Sequence, residues 1–357
     1  APDPPMRRPT LAPTRPAGRR PQRGAALLTA MIIVTVVATL AAGMAWQQWR
    51  AVQVEAAERT QTQAQWILQG ALDWSRLILR EDARTGGVDD LTEPWATPLA
   101  ESRLSTFLAA DRPAGDAADD GPDAFLSGRI EDAQARYNLR NLIQQGRISK
   151  AELHTLTRLC EYLGLSADVA LRLADALRRA SPGTATETPP GETGGDLARL
   201  DSTPTGSSGA PVTPLLPPSV DELGWLGLSP ALVQRLRPYL VLLPRETPVN
   251  LNTASKEVIA AVLPGADLAG AQRLVQARRQ KHLKSPEEVR QILGERAIAD
   301  VRRVSVNTNF FVVYGALRLD NLVVAQRSLL ERNGRDIRLL STQRLRDLTE
   351  LEAPLQQ

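Results

Sequence analysis

Cysteine is all but missing from this chain: Cys160 stands alone among 357 residues. That excludes a disulfide within the chain, so the protein must be stable without one. In its Leu-Cys-Glu-Tyr-Leu helical setting, Cys160 reads as a small buried hydrophobe. Histidine is nearly as scarce, with only His154 and His282. His154 lies six residues before Cys160, on a different face of an ideal helix. It reads as a partly buried helix residue, and no metal-ligand cluster follows from the pair. A glycine-rich phosphate loop and a nucleophile elbow are missing as well. The chain therefore reads as non-enzymatic. An excess of charge is also lacking. There are 43 basic and 40 acidic residues, a net +3. Arg7, Arg8, Arg15, Arg19, Arg20 and Arg23 stand against Asp3 in the first 24 residues, so the remainder carries −2. The broad basic surface that nucleic acid requires is absent.

What is present is a long apolar run. Between Arg23 and Arg50 no charge appears. Roughly 20 apolar residues span a bilayer as a helix, so this run predicts one membrane crossing. Arg19, Arg20 and Arg23 flank one side and predict a cytoplasmic N-terminus, with the bulk of the chain across the membrane. The helix signal continues past the membrane surface. From Arg50 to Asp82 there is no proline and only Gly70. Ala64, Ile67, Ala71, Trp74 and Ile78 recur at helical spacing and predict the face that packs on a soluble domain. Trp46 and Trp49 fit a membrane-interface belt, while Trp66, Trp74, Trp95 and Trp225 read as core.

Basic residues, then Gly24-Ala25-Ala26-Leu27-Leu28-Thr29, then the apolar run, resemble the type IV pilin family. The resemblance implies cleavage by a prepilin peptidase between Gly24 and Ala25 and methylation of the Ala25 amine. Two positions depart from the pattern: Ala25 stands where an aromatic residue or Met is usual, and Thr29 where the fifth mature residue is usually Glu. A lone carboxylate in hydrocarbon is costly unless paired. In pilins that Glu is thought to pair with a neighbour's N-terminal amine. A subunit with Thr29 lacks that pairing and suits the end of a filament. The same run also suits a secretory signal cut near Gly43-Met44-Ala45, or a plain single-span anchor.

Further along, Asp111, Asp116, Asp119, Asp120 and Asp123 lie in a Gly- and Pro-containing acidic loop. Such loops offer oxygen ligands that suit calcium, or are simply solvated. The segment Asp132-Ala133-Gln134-Ala135-Arg136-Tyr137-Asn138-Leu139-Arg140-Asn141-Leu142 follows, with Asn138 and Asn141 expected to tie down turn backbone. Residues 149–180 read as helices, with Ser149 and Glu152 as a capping box. Residues 181–219 are rich in Pro, Gly, Ser and Thr and predict a disordered loop. Val249-Asn250-Leu251-Asn252-Thr253-Ala254 then leads into helices, the first capped by Thr253. Finally, Val306–Leu319, Leu322–Arg332 and Asp336–Leu345 read as three antiparallel strands, with Asn333-Gly334 as a hairpin signal.

The Asp132–Leu142 segment, the Val249–Ala254 motif, Thr29 and the Gly24-terminated leader occur in one order. Together they resemble the minor pseudopilin K family of type II secretion, the general secretion pathway protein K family. The resemblance implies an α+β fold: a pilin-like N-terminal helix on an antiparallel sheet, with a large all-α insert related to helix-hairpin-helix modules. It divides the chain into a leader (1–24), the helix and first part of the pilin-like domain (25–148), the insert (149–300) and the closing strands (301–357). It implies a place at the tip of a periplasmic pseudopilus, in the inner membrane, with the minor subunits I and J as partners. The H subunit, the major pseudopilin and the prepilin peptidase are further implied partners. It also implies calcium, for which Asp119, Asp120 and Asp123 are the candidate ligands. Two other readings stay open: a minor pilin of a type IV pilus or competence machine, and a membrane-anchored DNA receptor. The second needs backbone amides free at a hairpin, where this chain has Asp267, so no nucleic-acid partner is expected.

Overall fold

The computed structural model describes residues 23–105, 124–181, 214–294, 300, 302–319 and 322–345. The predicted loop at 181–219 and the acidic loop with Asp119, Asp120 and Asp123 lie wholly or largely outside them. Two compact units are distinguished, residues 1–62 and 63–357. Helix α1 (Arg23–Thr85) begins in the first and ends in the second. It is long and apolar enough to cross a membrane.

In the second unit, β1 (Leu99–Arg103) and β2 (Ala124–Asp132) come first. Three short strands follow: β3 (Tyr137–Asn138), β4 (Ile143–Gln144) and β5 (Arg147–Ile148). The insert contributes α2 (Lys150–Tyr162), α3 (Ala167–Ala180), α4 (Pro230–Leu236), β6 (Leu240–Val241), β7 (Val249–Asn250), α5 (Lys256–Val262), α6 (Leu268–Gln280), α7 (Val289–Leu293) and β8 (Val304–Ser305). The chain closes with β9 (Phe310–Leu319), β10 (Leu322–Asn333) and β11 (Asp336–Leu345). The main sheet has the order β1-β2-β9-β10-β11, every pair antiparallel. β2 pairs directly with β9, so the whole insert is looped out between two neighbouring strands. The β10–β11 hairpin turns at Gly334, whose φ of +58° is cheap only for glycine. Strand β1 pairs through only a few positions, with an irregular register.

One sheet face packs on the second half of α1. Leu68, Leu72 and Leu79 are buried there against Leu126, Ile130, Phe311, Val313, Leu317 and Leu330. The expected helical period is present, but the buried face is turned by about one residue. Ala64, Leu68, Leu72, Ser75 and Leu79 form its centre, while Ile67 and Ile78 are half-buried and Trp74 is exposed. Gly128 and Gly315 sit opposite each other beneath the helix. A Cβ on Gly128 would lie 2.8 Å from the Tyr314 carbonyl oxygen, and one on Gly315 would meet Leu68 at 3.4 Å. The close approach needs bare backbone. Arg76 pins the helix laterally, donating from Nη2 to the Ile337 carbonyl at 2.9 Å.

The insert has its own core, which runs from Tyr137 to Val306 and includes Leu156, Leu159, Cys160, Leu173, Leu236, Ile259 and Leu274. Its packed limits extend on both sides of the 149–300 span. Ser149 and Ser285 make no side-chain cap. Helix α5 is capped by Ser255, not Thr253. Glu152 is instead buried, accepting from the Tyr137 hydroxyl at 2.9 Å and pairing with Arg303 at 2.8 Å.

Candidate functional site

Three places carry the features singled out in the sequence. The first is the anchor. Every side chain from Ala25 to Arg59 is exposed, a state tolerable only with lipid or protein around the apolar ones. The Thr29 hydroxyl donates to the Ala25 and Ala26 carbonyls, each at 3.0 Å. It is thus satisfied within its own helix and needs no outside partner in hydrocarbon. Thr35 makes the same internal bonds. Trp46 and Trp49 lie 5.4 Å apart, centroid to centroid.

The second place is the outward face of α1 in the sheet-bearing unit. Trp66 is 73 % exposed, Trp74 41 % and Leu77 55 %. Trp66, Gly70 and Leu77 fall at helical spacing on the side away from the sheet, while Trp74 lies at the flank, lining a groove with Leu68, Trp95 and Val313. Trp225 is also exposed, so of the four tryptophans expected in the core only Trp95 is there. Trp95 meets Phe311 edge-on at 5.3 Å. The sequence could not separate these cases, because a large aromatic serves a core and an interface equally well.

The third place joins the two signature segments, which lie over a hundred residues apart in sequence. Asp132 ends β2. One carboxylate oxygen accepts from the Gln134 amide at 2.7 Å. The other accepts from Asn250 at 2.8 Å and from the Thr253 hydroxyl at 2.6 Å. Gln134 bridges onward, donating to the Pro248 carbonyl at 3.0 Å and accepting from the Asn309 amide at 2.7 Å. Asn138 donates to the Arg245 carbonyl at 2.7 Å and accepts from the Leu243 amide at 3.1 Å. Asn141 pairs with both backbone groups of Thr247, at 2.8 and 3.0 Å. Both asparagines do fix a turn, but mainly by bonding it to the strand-like segment 243–247. Asn252 closes the far end on the backbone of Leu283. The two motifs are thus halves of one buried polar lock. Burial pushes the Asp132 carboxyl up to about 6, against the pull of its hydroxyl and amide donors. Beside it, Glu131 pairs with Arg129 and Arg136, whose charges outweigh its burial and hold it below the usual range.

The remaining candidates are quickly placed. Asp267 caps α6, its carboxylate accepting from the Gly270 amide at 2.6 Å. That helix N-terminus is filled by its own anion, which excludes phosphate there by charge and by hydrogen bonding. His154 is exposed, not partly buried. His282 bonds Asp90 at 2.8 Å. Cys160 is fully buried, and burial pushes its thiol up to about 11, so it is inert as a nucleophile. A group that sequence reading missed is Asp82, Asp89 and Glu93, gathered within 4.8 Å. Arg332 already supplies the positive charge between the first two, so we assign no metal there. A Val-Asp-Asp step between Gly87 and Pro94 was its only sequence trace.

A long N-terminal helix, half bare and half packed on an antiparallel sheet that loops out a helical insert, defines a membrane-anchored pilin-like subunit. The family model described as type II secretion system protein K matches residues 135–245 in its first part and 249–310 in its second. The protein of that name from Pseudomonas aeruginosa is 31 % identical over 338 residues, covering 89 % of this chain and 91 % of its own. That of Klebsiella pneumoniae is 30 % identical over 335 residues, covering 88 % and 94 %. A chain in the crystal structure of the GspK-GspI-GspJ complex from enterotoxigenic Escherichia coli shares the fold, with a TM-score of 0.54 at 18 % identity. It matches over 82 % of this chain and 99 % of its own. The chain therefore belongs to the type II secretion system protein K family and is a minor pseudopilin, a structural component of protein export by that system.

Proposed function

We propose that this protein caps the tip of a short periplasmic pseudopilus, assembled with the minor subunits I and J, and starts filament assembly there. The observation that carries this reading is the outward stripe Trp66–Gly70–Leu77, an exposed apolar face on a helix already packed on its other side. Pilin-like subunits meet through such helices, and the similar structure's title names GspI and GspJ as companions of its K subunit. Thr29, satisfied internally, asks for no neighbour's amine. A subunit of this kind sits at an end rather than inside a stack, and the bulk of the insert argues for the same place. The anchor lies in the inner membrane with its N-terminus cytoplasmic, following the basic residues before Gly24. The role is assembly, with no catalysis. The acidic loop with Asp119, Asp120 and Asp123 offers hard oxygen donors of the kind calcium takes. Calorimetry of the triple Asp→Asn variant with calcium tests that assignment, and unchanged binding would remove it.

The deciding experiment is mass spectrometry of the mature N-terminus from native membranes. An N-terminus at Ala25, carrying a methyl group, is the expected result and establishes prepilin-peptidase processing. Cleavage near Ala45, or none, would overturn the filament reading.

A further inference from the structure

The segment between α1 and the first strand crosses the seam where helix, sheet and insert meet. It brings more negative charge there than the seam neutralises. Asp82 at the end of α1, with Asp89 and Glu93 beyond it, gather their carboxylates within 4.8 Å. One guanidinium answers them. Arg332 of β10 donates to Asp82 at 2.7 Å and to both oxygens of Asp89 at 2.5 and 2.6 Å. It also donates to the Thr308 carbonyl at 2.7 Å and lies over the Phe311 ring at 4.8 Å. Glu93 is held by neutral donors: the Asp90 amide at 3.0 Å and the Trp95 indole at 2.7 Å. The other charged groups at the seam are Asp132 from β2, which faces Asp89, and Asp90, which is bonded to His282 after α6. Three carboxylates round one arginine leave the cluster two positive charges short.

The same segment holds the insert to the sheet. The Asp89 amide donates to the Val306 carbonyl at 2.9 Å, and its carboxylate accepts from the Thr308 amide at 2.7 Å. Its carbonyl accepts from Asn250 at 3.1 Å. Whatever unsettles Asp89 therefore loosens β8, the start of β9 and the polar lock together.

We propose that residues 86–95 form a proton-operated clasp between the insert and the pilin-like sheet, closed when Glu93 carries a proton and loosened when it gives that proton up. One of the two missing positive charges is then a proton on Glu93, the one carboxylate of the three that no arginine holds. Burial, with the like charges of Asp82 and Asp89, pushes Glu93 up to about 7, against its indole and amide donors. The sign follows. A carboxyl raised in the folded state lends stability that is complete below its ordinary value near 4.5 and is lost as pH rises through about 7. The clasp thus weakens as pH rises from about 4.5 to about 7 and draws nothing from this proton above that. This inference stands independently of the filament position.

The test is hydrogen exchange with mass spectrometry on the full chain in detergent, with EDTA throughout, at about pH 6 and about pH 8 after correction for intrinsic rates. Peptides covering 86–95 and 304–310 are expected to exchange about tenfold more slowly at the lower pH, the factor that one unit of titration carries. Glu93→Gln keeps an oxygen acceptor for both donors but cannot titrate, so it should remove the difference. Asp82→Asn keeps Glu93 and removes one like charge, so it should lower the midpoint by about one unit. No pH difference in the wild type, or the same difference in Glu93→Gln, would overturn the proposal. Where Glu93→Gln fails to fold, an unmoved midpoint in Asp82→Asn would overturn it equally.

Discussion

The two faces of the main sheet are covered by different means. Toward α1 the contact is apolar: Phe311, Val313, Leu317 and Leu330 lie under Leu68, Leu72 and Leu79. Toward the insert the apolar contact is smaller, with Phe310, Val312 and Tyr314 against Ala133, Val241 and Leu243. There the fit is set by the bonds of Asp132, Gln134, Asn138, Asn141 and Asn250. Apolar contact is strong but non-directional. Buried hydrogen bonds add little net stability but are costly when broken, so they select one arrangement. The helix is held on by area, and the insert is held in one orientation by direction.

That contrast can be broken first on the helix side. Phe311→Ala should cost about 3–5 kcal/mol, because it empties the site under Trp95 and Leu72. Denaturant unfolding of the chain in detergent measures it, and a loss under about 1 kcal/mol would mean that the helix face is not the main source of stability.

On the insert side the effect should depend on pH. Asp132 is raised to about 6, so its contribution to stability is complete below the ordinary value of 3.8 and is lost as pH rises through about 6. An amide cannot titrate. Asp132→Asn should therefore cost most near pH 5 and less near pH 7.5, the penalty shrinking by about 1.4 kcal/mol across that window, the equivalent of one unit of titration. A penalty that is flat with pH would show that the lock does not hold this proton.

The smallest effect on folding should come from the outward stripe. Trp66→Ser with Leu77→Ser should change stability by less than about 0.5 kcal/mol per site, as exposed substitutions do. Co-purification with the other minor pseudopilins should nevertheless fall sharply. Full recovery of the complex would take the stripe out of the interface.

Much of this was readable in advance where the determinants are local. The charge-free run after Arg23, the period of the helix beyond it, and the three closing strands with Asn333-Gly334 follow from neighbours in sequence. The limits appear in particular residues. Thr253 sits where a helix cap belongs, yet its hydroxyl goes to Asp132, because a buried carboxylate 121 residues away needs a donor more than the helix does. Glu152 leaves its capping role for Tyr137 and Arg303 for the same reason. Trp74 fits the helical period but lies only at the flank of the packed face, and Trp66 faces outward, since periodicity finds a stripe without saying which neighbour covers it.

The sequence by itself determined the long apolar helix, the order of helix, insert and sheet, and the exclusion of a disulfide within the chain. Each of these rests on composition or on spacing within a few turns. Only the tertiary structure decided that β2 pairs with β9 across the insert, that the two signature motifs are one lock, and that Asp82 and Asp89 share a single arginine beside Glu93. Those contacts join residues over a hundred positions apart, as in Asp132 with Asn250, or ends of separate elements, as in Asp89 with Arg332. Their energies depend on burial, which no local pattern carries.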